Sequence, residues 1–446
     1  MLDANDQAEP DPALAQFALA SRYLPGGVCA SARRNAAIGH PFFVSRGAGA
    51  YLYDLQGRPY IDMSVSHGAS LLGHGHPAVI AAVRQALDMG IVCSAETVHH
   101  AHLARRITEL VPCAEMVRFG GSGTETVMHG LRLARCATGR EKLIKFEGHF
   151  HGYADALNFS VMPPLDLAGP ARTPTPYVES AGVPRNTREH VIVLPFNDPA
   201  ALQAAFLTHG KDVAALLMEP INYDQGCVMP QPGFLALCRQ LCDRHGSLLF
   251  FDEVLTAFRT APGGAQQHLG VTPDLCVLGK AFGAGMPISA LAGKRAIMEH
   301  LQPLGASQMS GTYLAHLTAV LAALAALETY SSPGFYDRLD DLCQYFYRGF
   351  QAAIDRSGVV VRLQFAGPRF GLYFGVPGAV DNYRAAAARN AGAELCFIRA
   401  CFARGVYFQP AAHHGFSAVH SRTDMDKVLS AIEAALSEVR QLAVAS

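Results

Sequence analysis

The sequence predicts an α/β fold with a mostly parallel central sheet flanked by helices, plus a smaller α+β domain built from the two chain ends. Between about residues 115 and 290, short apolar runs alternate with helical patterns, which is typical of a parallel sheet covered by helices. The runs are EMVRF, KLIKF, HVIVLPF, VAALLMEP, SLLFFDEV and DLCVLGK. Because ligands bind outside the carboxyl ends of parallel strands, we expect the chemistry at the residues that follow these runs.

The two ends of the chain carry strand and helix patterns of their own. Residues 51–63, YLYDLQGRPYIDM, predict a hairpin that turns at its Gln-Gly pair, and the C-terminal part predicts helices with a few strands. We therefore predict a large domain at 71–330 and a small domain that combines 1–70 with 331–446. The proline-rich segment 162–186 predicts a long surface loop.

The bulk composition excludes several classes of function. The chain has 446 residues, of which 50% are hydrophobic, so it can bury a large core. Lys and Arg total 36 against 37 Asp and Glu, and the formal charge of -1 leaves no global basic field to hold nucleic acid or an anionic membrane. We expect a small-molecule substrate instead.

The start of the chain, MLDANDQAEPDPALAQF, is acidic and lacks the cationic and apolar regions of a secretory signal. No apolar run reaches about 18 residues, so we expect a soluble, cytoplasmic protein. The 11 cysteines include no CxxC pair, which favours free thiols over a disulfide framework or a zinc site, and we assign Cys238 and Cys242 to the core. The histidine spacings match no metal signature, so no metal is expected.

The segment GGSGTETVMHGLRLARCATG (120–139) predicts a helix with a capped N-terminus. Ser122 and Glu125 form the pattern of a capping box, and a glycine ends the helix. The same geometry directs the free N–H groups of Gly123 and Thr124, with two hydroxyls, at any anion on the helix N-terminus. Ordinary helix entry and a phosphate site both remain open from this segment alone.

Three further strand ends carry side chains that need an explanation. Asp252 follows the buried run LLFF, where a carboxylate requires a partner. Phe150 in EGHFHG (147–152) either stacks on a planar ligand or belongs to the core. Lys280 in LGKAFGAGMP (278–287) is either a solvated surface charge or, if partly buried beside other cations, a nucleophilic amine.

In this order and spacing, the GSGT turn, the FHG aromatic, Asp252, Lys280 and a later GTY at 311–313 resemble the class III aminotransferases. These are pyridoxal-phosphate enzymes of fold type I, a group that includes glutamate-1-semialdehyde aminomutase and the ω-aminotransferases. The resemblance extends from PGGV (25–28) to GVYFQP (405–410), nearly the whole chain. It implies the fold type I architecture and pyridoxal 5'-phosphate as cofactor.

The resemblance implies a role for each matching residue around the cofactor ring. Lys280 corresponds to the lysine that holds the cofactor as a Schiff base. Asp252 corresponds to the carboxylate that pairs with the pyridine nitrogen and keeps the ring an electron sink. Phe150 corresponds to the aromatic that stacks on the ring, and Val254 to the residue packed on its other face.

The resemblance also implies how the cofactor phosphate is held. Ser122, Gly123 and Thr124 correspond to the phosphate cup. In the family, the threonine of GTY reaches the phosphate of the neighbouring subunit. Thr312 therefore implies a homodimer with shared active sites.

Several positions depart from the aminomutase pattern around the substrate. LPGGVCASARR (24–34) resembles the segment with a substrate-carboxylate arginine, and Arg33 falls at that position, although a solvated surface arginine is the alternative. His413 stands where the aminomutase has a glutamate near the substrate amine, and His316 replaces an asparagine after GTY. Asp224 occupies the place of an asparagine that touches the cofactor's ring oxygen.

Since these changes fall around the substrate, the resemblance implies a transaminase that acts by a ping-pong mechanism on a small-molecule amine donor and a carbonyl acceptor. The freed lysine then moves a proton between the substrate carbon and the cofactor. A glutamate-1-semialdehyde-type 2,1-aminomutase, an epimerase or a decarboxylase on the same scaffold remains open. A non-catalytic binding protein also remains open, although such a protein is expected to lack the lysine.

Overall fold

The structure is a computed structural model that describes residues 11–92 and 94–445, so the expectation for the acidic start at 1–10 lies outside these residues. Its helices are α1 (Pro12–Tyr23), α2 (Pro77–Asp88), α3 (Val98–Leu110), α4 (Gly123–Thr138), α5 (Pro199–His209), α6 (Phe234–His245), α7 (Gly264–Leu269), α8 (Arg295–Met298), α9 (Leu317–Tyr330), α10 (Phe335–Ser357), α11 (Tyr383–Ala387), α12 (Ala391–Phe402) and α13 (Arg422–Ala445). Its strands are β1 (Val44–Ala48), β2 (Tyr51–Asp54), β3 (Pro59–Asp62), β4 (Met116–Gly120), β5 (Lys142–Phe146), β6 (Val191–Leu194), β7 (Val213–Met218), β8 (Leu248–Glu253), β9 (Leu275–Leu278), β10 (Ser289–Gly293), β11 (Val361–Ala366), β12 (Arg369–Phe374), β13 (Val406–Tyr407) and β14 (His413–Gly415). Within the described residues, no helix is both long and apolar enough to cross a lipid bilayer.

The central sheet has seven strands in the order β4-β10-β9-β8-β7-β5-β6. β6, β5, β7, β8 and β9 pair in parallel, whereas β10 is antiparallel to both β9 and β4. All six apolar runs form strands of this sheet, so the prediction of a mostly parallel sheet is confirmed. β10, with the sequence SALAG, was not predicted, because its small residues lack the β-branched and aromatic side chains that mark a strand.

Both faces of the central sheet are buried beneath helices. Along β8, Phe250 belongs to a core that includes Val127 of α4, whereas Leu249 and Phe251 belong to a larger core that includes Cys238 of α6. Successive side chains of a strand point to opposite faces, and a strand buried on both faces is therefore apolar without alternation. This explains why the run LLFF has no polar residue before the strand end.

The two chain ends meet in a smaller sheet. β1, β2, β3 and β13 form four strands in which the predicted hairpin of β2 and β3 is extended by β13, with Ile61 paired in parallel to Val406. β11, β12 and β14 form a separate antiparallel sheet. The pairing of β3 with β13 joins the two ends, while the domain boundaries at 1–70, 71–330 and 331–446 stay a prediction.

The proline-rich segment 162–186 contains no α-helix and no extended strand, as predicted. Arg384 of α11 fixes it, because the guanidinium donates to the carbonyl oxygens of Ala168 at 3.1 Å and Gly169 at 2.9 Å. The same guanidinium pairs with Glu147 at 3.0 Å, just past β5. The loop is thus tied to the carboxyl end of the central sheet.

Cys238 and Cys242 are fully buried in the core, as predicted. Each of the ten cysteines in the described ranges is a free thiol, which confirms the preference for thiols over a disulfide framework in that part of the chain. Burial raises the pKa of both core thiols, so they stay protonated and unreactive.

Candidate active site

The carboxyl ends of the parallel strands meet around one cavity. Asp252 lies at the end of β8, Lys280 follows β9, Glu219 follows β7, and Phe150 lies just past β5. The cavity encloses about 400 Å³ of empty space and also contacts Thr124 at the start of α4, which follows β4. The structure therefore brings together side chains that follow five different strands.

Asp252 is a buried carboxylate with one oxygen turned to a histidine. Its Oδ2 accepts a hydrogen bond from His151 Nδ1 at 2.8 Å, and its Oδ1 accepts from the Val254 N–H at 3.1 Å. Burial lowers the pKa of His151, so the imidazole is neutral and leaves the carboxylate charge unpaired. Among the described residues, no lysine or arginine forms an ion pair with this carboxylate. A buried charge of this kind is stabilised by a cationic partner, which a cationic ligand group can supply.

Lys280 is held in a strained backbone conformation at the wall of the same cavity. Its φ of 47° is in the left-handed region, which non-glycine residues rarely adopt and which is concentrated at functional sites. Burial lowers the pKa of its ammonium group, while Asp224, Asp252 and Glu219 oppose this shift. A lowered pKa increases the fraction of neutral amine, which is the nucleophilic form.

The N-terminus of α4 supplies backbone donors to this cavity. Gly123 and Thr124 line it, and their N–H groups belong to the first helical turn, which has no intrahelical acceptors. Ser122 Oγ accepts from the Glu125 N–H at 3.3 Å, as the predicted capping box requires. The reciprocal bond differs from the prediction, because the Glu125 carboxylate accepts from the N–H of Gly121 at 2.8 Å rather than from that of Ser122.

Phe150 and Val254 both line the cavity, as expected for two residues that pack on a flat ring. The Phe150 N–H donates to Glu219 Oε1 at 3.1 Å, which fixes the aromatic residue at the end of β5. Gly123 and Gly279 make room for Val254, since a Cβ on either glycine would lie within 3.0 to 3.1 Å of a valine methyl group. These contacts set the width of the cavity between α4 and β9.

The cavity fits the expected cofactor on three counts. The start of α4 offers unpaired backbone N–H groups and the positive end of a helix, which suit a phosphate. The cavity is also lined by the carboxylate of Asp252, which suits a pyridinium N–H⁺. Its wall further includes an aromatic ring, a valine and a primary amine of lowered pKa.

The residues predicted to bind substrate lie outside this first cavity. Arg33 lines a neighbouring cavity of about 1450 Å³ together with His67. His413 on β14 is buried, and its Nδ1 accepts a hydrogen bond from Arg369. Asp224, by contrast, lines the first cavity, and burial raises the pKa of its carboxyl to about 6.

Thr312 and His316 also lie away from the first cavity within a single chain. Thr312 lines a third cavity, together with Arg118 of β4. His316 is the N-cap of α9, where its Nδ1 accepts from the Thr318 N–H at 3.4 Å. A substrate contact from His316 therefore has no support in the geometry of one subunit.

Four residues of the cavity were not predicted to be part of the site: Glu219, His151, Gly152 and Leu255. Glu219 directly follows the buried apolar strand β7, just as Asp252 ends the apolar run of β8, so the same sequence pattern marks both carboxylates. His151 was noted only as a neighbour of Phe150, and its contact with Asp252 joins positions 101 residues apart. Gly152 gave no signal of its own in the sequence.

Gly152 is required where the loop after β5 passes over α4. Its φ is +94°, and a Cβ would lie 2.5 Å from Thr124 Oγ1 and 2.6 Å from Thr124 Cα. We expect Gly152→Ala to combine about 1–2 kcal/mol of left-handed strain with about 1–3 kcal/mol of overpacking. Urea denaturation should show a lower free energy of unfolding. Pyridoxal-phosphate titration should show weaker cofactor binding, because the added methyl group displaces Thr124 of the phosphate cup.

Gly182 provides a matched control for this variant. Its φ is +97°, but nothing lies within 4 Å of its Cβ position. Gly182→Ala should therefore show the strain alone and leave cofactor binding unchanged. Equal losses in the two variants would contradict the close contact between Gly152 and Thr124.

Comparison with known proteins agrees with this geometry. The family model for class III aminotransferases matches residues 31–435. A glutamate-1-semialdehyde 2,1-aminomutase of Sorangium cellulosum is 41% identical over 434 residues, which cover 97% of each chain. An ω-transaminase from Sphaerobacter thermophilus has a TM-score of 0.90 at 31% identity, with 97% of this chain and 99% of that chain covered. A transaminase with PLP bound has a TM-score of 0.87 at 26% identity, with 96% and 98% covered.

These similarities extend over nearly the whole chain, and they coincide with a cavity whose residues suit a phosphate, a ring and an aldehyde. The fold is accordingly that of the fold type I enzymes, with a mixed central sheet flanked by helices. The chain belongs to the class III aminotransferase family, and its cofactor is pyridoxal phosphate.

Proposed function

We propose that the protein is an aminotransferase that moves an amino group from an amine or amino acid donor to a keto acid or other carbonyl acceptor by a ping-pong mechanism. The observation that carries the proposal is that Lys280 and Asp252 line the same cavity and that no lysine or arginine of the described residues forms an ion pair with the carboxylate. Family membership supports it, because the family is defined by this class of enzyme.

The cofactor supplies an aldehyde that condenses with primary amines and a protonated ring that withdraws electrons from the carbon next to the nitrogen. Lys280 would hold the aldehyde carbon at Nζ until the donor amine displaces it. The released Nζ, whose lowered pKa increases its neutral fraction, would accept the proton of the substrate carbon and donate it back during the transfer. Asp252 would keep the ring nitrogen protonated, and Phe150 with Val254 would hold the ring plane.

A 2,1-aminomutase is the second candidate, and the 41% identity to a protein of that name favours it. The residue at position 413 favours transamination instead, because a neutral histidine stands where the aminomutase has a glutamate near the substrate amine. Burial and the nearby Arg369 lower the pKa of His413, so this residue brings no negative charge to the site. An epimerase or a decarboxylase needs the same lysine and aspartate, so product analysis has to separate these reactions.

A non-catalytic binding protein on this fold is the remaining alternative. It would have no use for a strained lysine of lowered pKa at the cavity wall, and Lys280 has both properties. A cytoplasmic location stays a prediction that no feature of the fold addresses.

A panel of amine donors, each assayed with pyruvate and with 2-oxoglutarate, tests the proposed function. A transaminase should form one aminated acceptor for each donor consumed. The matched control omits the acceptor. Without it, a transaminase should consume one donor molecule per active site and then stop, whereas an aminomutase should continue to form product. Turnover without a second substrate would contradict transamination.

We further infer a homodimer in which Thr312 completes the phosphate cup of the neighbouring subunit. Thr312 is exposed and lines a different cavity from Lys280, so it has no role at the cup of its own chain. Mixing a Thr312→Ala subunit with a Lys280→Ala subunit tests this arrangement. A hybrid should regain one complete site, because the second subunit lends its threonine to the first.

The readout for the hybrid is activity at a low pyridoxal-phosphate concentration, at which the contacts of the phosphate cup determine how much cofactor is bound. Each homodimeric variant alone is the control and should stay impaired. If the hybrid is no more active than the two variants measured separately, Thr312 acts within its own chain or not at all.

A further inference from the structure

Asp224 is the carboxylate of the cofactor cavity with the fewest partners in the protein. It follows β7 and lines the cavity together with Lys280. Within the described residues, its carboxylate accepts a single long hydrogen bond, from the side-chain amide of Gln225 at 3.5 Å. The other two carboxylates of the cavity, Asp252 and Glu219, each accept a backbone N–H at 3.1 Å. Asp224 is therefore free to interact with other groups in the cavity.

The turn that carries Asp224 is fixed by hydrogen bonds on both sides of this residue. The side-chain oxygen of Asn222 accepts the Gln225 N–H at 2.9 Å, and the Tyr373 hydroxyl of β12 donates to the Gln225 carbonyl oxygen at 2.9 Å. Asp224 is the only residue of 219–228 that is not buried. The fold thus holds this carboxylate at the cavity while it buries the rest of the turn.

Lys280 is the cation that is available to this carboxylate. Two further cations act on Asp224, but each has partners elsewhere. Lys145 donates to two backbone carbonyl oxygens, and Arg389 pairs with Glu394 at 3.1 Å. Lys280 lines the cavity and, in the part of the chain that the structure describes, forms no ion pair of its own.

Asp224 and Lys280 are each other's strongest charge partners. Burial lowers the pKa of the Lys280 ammonium group, and Asp224, Asp252 and Glu219 oppose this shift in decreasing order. Burial raises the pKa of Asp224 to about 6, and Lys280 opposes that shift more than any other charge. Asp224 is therefore ionised at neutral pH, and its attraction to Lys280 acts across the cavity.

The proposed function requires Lys280 to accept a proton inside this cavity. When Nζ takes the proton of the substrate carbon it becomes an ammonium group, which is costly to bury without an anion. Asp252 is assigned to the ring nitrogen of the cofactor. Burial and the two aspartates raise the pKa of Glu219 well above its ordinary value, which favours its neutral form. Asp224 is thus the carboxylate that can compensate the charge on Lys280.

We propose that Asp224 is a positioning residue for Lys280, and that its carboxylate stabilises the ammonium group that Lys280 forms when it accepts the substrate proton. One proton moves from the substrate carbon to Nζ, and Asp224 stays ionised throughout. The inference rests on the proposed function, because it concerns the proton that amino transfer moves. The aminomutase pattern has an asparagine at this position, so the charge beside the lysine distinguishes this chain from that pattern.

Competitive acetylation of the apoenzyme over a series of pH values tests this pairing without cofactor or substrate. Mass spectrometry of the lysine peptides gives the pKa of each amine. In Asp224→Asn, the pKa of Lys280 should fall by about one unit, which raises the neutral fraction of the amine about tenfold at any pH below that pKa. Asp224→Glu keeps the charge and should keep the wild-type pKa.

The chain offers controls for this experiment. Lys142 is the internal control, because it pairs with Asp212 at 3.5 Å at the opposite end of β5 and should have the same pKa in every variant. Glu219→Gln removes a carboxyl group from the same cavity and should shift the Lys280 pKa less, since Glu219 acts on Lys280 less than either aspartate does. Asp224→Ser removes the same charge as Asp224→Asn and decides the test if the asparagine variant does not fold.

The absorbance of the loaded enzyme provides a second readout. It changes with the protonation of the nitrogen that joins the cofactor to Lys280, and the midpoint pH of this change should be lower in Asp224→Asn than in the wild type. An unchanged Lys280 pKa in the variants that remove the charge, an unchanged midpoint, or equal shifts in Glu219→Gln and Asp224→Asn would overturn the pairing. A lowered pKa in a protein that transfers no amino group from any donor would leave the pairing in place and contradict the proposed function.

Discussion

Replacement of Lys280 by alanine should lower kcat for amino transfer by about 10²–10⁴-fold, the usual contribution of a positioned acid or base. The variant loses the amine that holds the cofactor covalently and the Nζ that moves the proton, and no other lysine lines the cavity within the described residues. Steady-state assays at saturating pyridoxal phosphate would measure the loss. Circular dichroism should be unchanged, because the Lys280 side chain lines the cavity and is not part of the hydrophobic core.

Lys280→Arg is the matched control for charge. The guanidinium keeps a cation near Asp224 and Asp252 but cannot act as a nucleophile. It should be as inactive as the alanine variant. Substantial activity in Lys280→Arg would show that charge, rather than covalent attachment and proton transfer, is what this position provides.

Asp252→Asn is expected to lower kcat by about 10²–10³-fold, comparable to the loss of a preorganised electrostatic contact in other active sites. The amide is nearly isosteric, and its oxygen can still accept from the Val254 N–H, while its nitrogen can donate to His151 only if that ring carries its proton on Nε2. The amide has no charge to hold a proton on the ring nitrogen. The measurement is the rate of the donor half-reaction at equal cofactor content. A rate within a few fold of the wild type would remove the electronic role of this carboxylate.

His151→Phe separates the orientation of Asp252 from its charge. It removes one hydrogen bond at 2.8 Å and leaves the carboxylate in place. A hydrogen bond to a charged group contributes about 1.5 kcal/mol, so the rate should fall about tenfold, well short of the asparagine variant. The order of the two effects is the diagnostic result, because a purely structural role for Asp252 would make them equal.

The sheet and the cofactor cavity were largely predictable from sequence because they depend on local patterns. A short apolar run in the sequence predicts each parallel strand, and the carboxyl ends of parallel strands lie at the same edge of the sheet. Asp252, Phe150 and Lys280 were found in this way. β10 was not predicted, because its small residues lack the side chains that are typical of a strand. It lies between β9 and β4 in the sheet and pairs with both.

The substrate side was not predictable because it depends on contacts between distant segments. Arg369 and His413 are 44 positions apart, and Arg369 and Ser64 are 305 apart. Nothing in the sequence around Arg369 indicates that it is buried without an anion. The left-handed backbone at His67 likewise follows from contacts made by Asp62, and the sequence there contains no glycine until position 68.

Borohydride reduction of the pyridoxal-phosphate-loaded protein, followed by proteolysis and mass spectrometry, identifies the lysine that binds the cofactor covalently. Lys145 is an internal control, because burial lowers its pKa to about 8 as well. Its Nζ, however, donates to the carbonyl oxygens of His149 and Phe159 instead of lining the cavity. We expect the reduced cofactor on the peptide containing Lys280 and nowhere else. Label on Lys145, or no labelled lysine at all, would contradict it.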